Sequence, residues 1–93
     1  MNNQEFKARA KQRIDEISAK MNELKAEKES VKEDLKSQFN DAIDTLESKK
    51  SELQSKYKDL DNASDDQWEE AKNAFSEASE SVIEGFNKMK SMI

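Results

Sequence analysis

The side chains best able to do chemistry in this chain are carboxylates, and they crowd around a single tryptophan: Asp65, Asp66, Glu69 and Glu70 bracket Trp68. Such a run could hold a divalent cation. Calcium loops, however, space their oxygen ligands at alternate positions around a glycine-containing turn, and that spacing is missing. At the start of a helix the same acids complement the helix dipole, and this is the reading adopted. Carboxylates used for proton transfer need a cleft that shifts their pKa values, which a thin helical protein does not readily provide. The chain has no His and no Cys, so it lacks the commonest general base and transition-metal ligand and all thiolate chemistry. No glycine-rich phosphate loop or nucleophile motif is present. The expectation is a non-enzymatic protein with no catalytic residue, no cofactor and no metal. Trp68 could anchor a partner, as Trp often does, but the simpler expectation is that it closes a turn by packing on Tyr57 and Leu60.

Composition narrows what could position these residues. Of 93 residues, 33% are hydrophobic and 40% charged, against about 45–50% apolar and about 25% charged in ordinary globular domains. A thick core is therefore not expected. There is no Pro and one Gly, Gly85, so a many-stranded fold with tight hairpins is not expected. Ala, Glu, Lys, Leu, Gln and Met dominate, all good helix formers. The first residues lack the apolar core of a secretory signal, and no run approaches the ~18–20 apolar residues of a membrane span; a cytoplasmic setting is expected. The net charge of −5 is unevenly placed: residues 1–20 carry +2, residues 21–60 carry −2 and residues 61–93 carry −5. An acidic chain gains little from a polyanion, so nucleic acid is not an expected partner.

The periodicity is helical. Ala10, Ile14, Ile17, Met21 and Leu24 step by three and four. From Leu24 onward, Leu24, Leu35, Leu46 and Tyr57 are eleven apart, as are Val31, Ala42 and Leu53. Eleven residues over three turns gives about 3.67 per turn, so the stripe should run nearly straight along one helix. The pattern breaks near residue 60, where Asn62 could take a left-handed conformation. Ser64 and Gln67 match a capping box that opens a second helix. Along that helix Trp68, Ala71, Phe75, Ala78, Val82, Phe86, Met89 and Ile93 recur by threes and fours. A break at residues 37–41 would instead give a three-helix bundle. The eleven-residue rows pass through it, so the preferred fold is all-α: a single domain over residues 1–93, an elongated antiparallel hairpin with helix 1 at about 3–61, a turn at about 62–64 and a half-length helix 2 at about 65–91.

In that hairpin helix 2 covers only the far half of helix 1. Phe39, Leu46, Leu53, Tyr57, Leu60, Trp68, Phe75, Val82 and Phe86 pack within the hairpin. Ile14, Ile17, Met21, Leu24, Val31 and Leu35 are left as a self-association stripe, for which an antiparallel homodimer is the expected solution. Its basic start (Lys7, Arg9, Lys11, Arg13) would meet the partner's acidic turn. The alternative is a reversible lipid- or granule-surface binder, using for example Phe86, Met89 and Ile93 flanked by Lys88 and Lys90.

The segment Ala63-Ser64-Asp65-Asp66-Gln67-Trp68-Glu69-Glu70-Ala71-Lys72, following a long Lys/Glu-rich helix, resembles a group of small bacterial coiled-coil proteins, some of them labelled stress-response proteins. The resemblance implies a bacterial cytosolic setting, a helical hairpin and a stress-related scaffold or shielding role. In that group a larger aliphatic residue is expected where this chain has Ala71.

Overall fold

The computed structural model describes residues 3–92, and these form three helices packed against one another. Helix α1 runs Asn3–Ala26, α2 runs Lys36–Asn62 and α3 runs Asp65–Lys90. Two 3-10 turns, Glu27–Ser30 and Glu33–Leu35, join α1 to α2. The all-α class is as expected, but the long hairpin is not: three helices of similar length replace one long and one short. The chain turns back upstream of residues 37–41, which lie inside α2.

The reversal is concentrated in two residues. Val31 (φ −77°, ψ 139°) and Lys32 (φ −58°, ψ 142°) are extended, whereas Ala26, Leu35 and Lys36 on either side keep helical values. No Gly or Pro forces this turn. Packing does. The reversal forfeits roughly four helical hydrogen bonds at ~1 kcal/mol each. In exchange Ile17, Met21, Leu24 and Val31 leave water, at roughly 1.5–3 kcal/mol per side chain. Two bonds hold the bend, Val31 N–H to the Lys28 carbonyl at 3.4 Å and Leu35 N–H to the Lys32 carbonyl at 2.9 Å.

The helices run up, down and up. Phe6 at the start of α1 meets Trp68 and Phe75 at the start of α3, so these two helices are parallel. Lys7 reaches Asp61 at the end of α2, and Lys25 reaches Glu47, so α1 and α2 are antiparallel. The bundle measures 50 × 17 × 16 Å.

Its core follows a simple order. Ala10, Ile17, Leu24 and Val31 are seven apart; so are Phe39, Leu46, Leu53 and Leu60; so are Trp68, Phe75, Val82 and Met89. All but the half-buried Trp68 are buried, and Phe39, Leu53, Leu60 and Val82 are wholly so. Each row lies 29 residues after the one before, one helix plus its connection. This is seven-residue coiled-coil spacing, and Val31 continues the first row past the end of α1 into the bend. The expected eleven-residue rows bridge the α1–α2 connection, and they mix buried Leu46 with half-buried Leu35 in the connection and half-buried Tyr57 in α2.

Helices α2 and α3 make the closest pairing, because α3 turns small residues toward α2. Ala71, Ala74, Ala78 and Ser81 line the seam beside the Lys49 and Lys56 stems. A Cβ on Gly85 would lie 2.5 Å from Leu46 Cδ2. The small residue at Ala71 thus belongs to a stripe that lets two helices approach. At the α2–α3 turn Ala63 is extended and Ser64 caps α3, its N–H donating to Gln67 Oε1 at 3.4 Å in a capping box. No non-glycine residue among those described has a positive φ, so the left-handed stop anticipated at Asn62 is replaced by this extended Ala63–Ser64 step.

Candidate interaction surface

The side chains expected to form an exposed stripe face the chain's own interior. Ile17, Met21, Leu24 and Val31 are buried, and Ile14 and Leu35 are half-buried. Their exposure was expected because helix 2 is too short to cover them; the reversal at Val31 and Lys32 brings α2 back alongside α1 and removes that premise. Phe39, Leu46, Leu53, Leu60, Phe75, Val82 and Phe86 join them in one core, with Tyr57 and Trp68 half-buried at its edge. Phe86 and Met89, the anticipated lipid-facing pair, are 4% and 1% exposed. Ile93 lies outside the described residues. No helix among the described residues is long and apolar enough to cross a membrane.

The groups that tie α1 to its neighbours are aromatic and charged. At the starting end of α1 and α3, Phe6 is edge-on to Trp68 (centroids 5.8 Å, 82°) and to Phe75 (6.2 Å, 78°). Edge-to-face geometry sets the positive ring edge against a negative ring face. The Lys7 ammonium lies 5.9 Å from the Trp68 ring centre and 3.7 Å from the Asp61 carboxylate. Trp68 thus has an aromatic partner on α1, which the sequence reading had not assigned to it. Halfway along, Arg13 Nη1 donates to Ser79 Oγ at 3.4 Å, so the buried Ser79 hydroxyl has a partner. Near the other end the Lys25 ammonium pairs with Glu47. The hydrogen bond and charge of Lys25, helped by Lys50, hold the Glu47 carboxyl below its ordinary value.

Where α1 meets α3 a depression is lined by Lys20, Glu23, Leu24, Glu27, Phe86 and Lys90. Among the described residues no three acids gather into a metal-binding group. The outer face of α3 carries Asp66, Glu70, Glu77, Glu80 and Glu84, all exposed. Sequence reasoning placed Ser79 nowhere, although it stands seven residues before Phe86 on the buried side of α3.

Comparison with known protein families, with curated proteins and with solved structures finds no match to this chain.

Proposed function

We propose that this is a non-enzymatic interaction protein that works by presenting helix surfaces, with a second copy of the chain as its first partner. A scaffold or shielding role under stress is what the resemblance to small bacterial coiled-coil proteins would add. The observation that carries the reading is the complementarity between α1 and the α2–α3 pair. One side offers the row Ala10, Ile17, Leu24 and Val31 with Lys7, Arg13 and Lys25 beside it; the other offers the core rows with Asp61, Ser79 and Glu47. Such a matched pair of surfaces can be satisfied within one chain or between two. Sedimentation equilibrium from micromolar to millimolar concentration, with circular dichroism in parallel, tests it. Concentration-dependent dimers at unchanged helicity are expected. A fully helical monomer at every concentration overturns the reading, and helicity gained only on lipid vesicles would favour surface binding instead.

A further inference from the structure

We infer that two copies of this chain associate by exchanging α1, through straightening of the connection at Val31 and Lys32 into continuous helix. This rests on the self-association proposed above and specifies how it occurs.

The first observation is the hinge. Within the α1–α2 connection Val31 and Lys32 carry extended ψ values, and each is flanked by a 3-10 turn. Nothing in Glu27-Lys28-Glu29-Ser30-Val31-Lys32-Glu33-Asp34-Leu35 is a helix breaker. Rotating two ψ angles toward the helical region would make residues 3–62 one helix about 90 Å long at 1.5 Å per residue, against a bundle 50 Å in its longest dimension.

The second observation is phase. In the closed bundle α1 and α2 are separate helices, and the chain between them imposes no rotational relation on their apolar faces. Yet Leu24, Leu35 and Leu46 are eleven apart, as are Val31, Ala42 and Leu53, so a straight helix through the hinge would keep both faces on one side. The same phase follows from the 29-residue spacing shared by all three rows, so it permits a continuous helix through the hinge without itself requiring one. Two long helices lying antiparallel need that phase, because each must face its partner along its whole length.

The third observation is that the aromatic, ionic and hydrogen-bonded contacts described above between α1 and the other two helices can be remade between chains. With α1 of one copy on α2 and α3 of the other, Lys7 meets the other chain's Asp61, Lys25 its Glu47, Arg13 its Ser79 and Phe6 its Trp68. The exchange of an identical element conserves the interface and alters only the hinge. It also restores the helical hydrogen bonds lost at the bend, while the cost is the lost freedom of a second chain. The balance therefore depends on concentration.

The test uses full-length protein prepared with natural and with heavy nitrogen, mixed, held at millimolar concentration near its thermal midpoint, cooled and separated by size. A zero-length carbodiimide then couples Lys25 to Glu47, and mass spectrometry reads whether the joined peptides come from one isotope or two. Mixed-isotope Lys25–Glu47 peptides in the dimer fraction, and none in the monomer fraction, are expected. Inserting Gly-Ser-Gly-Ser between Ser30 and Val31 should leave the monomer folded and lower the dimer fraction about tenfold or more, because Gly is a poor helix former. Dimers whose Lys25–Glu47 peptides are all of one isotope overturn the exchange while sparing self-association. Absence of any dimer overturns both.

Discussion

Glu47 lies between Lys25 and Lys50, and its carboxyl is held below the ordinary value of 4.5 mainly by the hydrogen bond and charge of Lys25. A carboxyl depressed in the folded state favours folding above its unfolded value, and that contribution is lost as pH falls through the depressed one. Glu47→Gln should therefore lower the urea midpoint at neutral pH and lose its effect in acid, the two pH–stability curves converging below about 4.5. Curves that stay parallel would show that the pair contributes nothing through its charge. Among the described residues Ser79 is the buried polar residue of the core. Its hydroxyl is held by an arginine from another helix, so its environment was not legible from its own neighbours in sequence.

Within the elements, the close α2–α3 seam turns on Gly85. A methyl there would press on Leu46 Cδ2 at 2.5 Å. Overpacking a core costs roughly 1–3 kcal/mol, while replacing Gly in a helix returns about 0.5–1 kcal/mol. Gly85→Ala should thus destabilise by about 1 kcal/mol, taking these two effects together. In a Leu46→Ala background the same change should stabilise, since the obstructing carbon is gone. Urea denaturation of the four proteins in that cycle checks both signs. The elements themselves were partly legible. Ser64, Gln67 and the acids after them mark the start of α3 because capping is local chemistry. The turn at Val31 and Lys32 was not, because no residue there breaks a helix; the bend exists only because distant side chains gain burial from it. The spacing of 29 residues between the rows headed by Ala10, Phe39 and Trp68 could have disclosed it. The eleven-residue rows masked that spacing by offering a continuous helix that the same residues satisfy equally well.

At the scale of the whole molecule, the three helices are not held alike. Helices α2 and α3 approach closely along their small-residue seam and are joined by the two-residue Ala63–Ser64 step, whereas α1 rests on the pair through a longer bent connection. Opening should therefore begin with α1. Native-state hydrogen exchange should show the amides of Ile17 and Met21 exchanging through a smaller opening than those of Leu53 and Val82; equal protection across the three helices would mean that the bundle opens only as a unit. Because α1 and α3 are parallel, the beginning of the first and the end of the third stand at opposite ends of a bundle 50 Å long. Tension applied between those two points runs along the helix axes and slides them past one another. It does not peel them apart one turn at a time, so many core rows resist together, as in a lap joint loaded along its length.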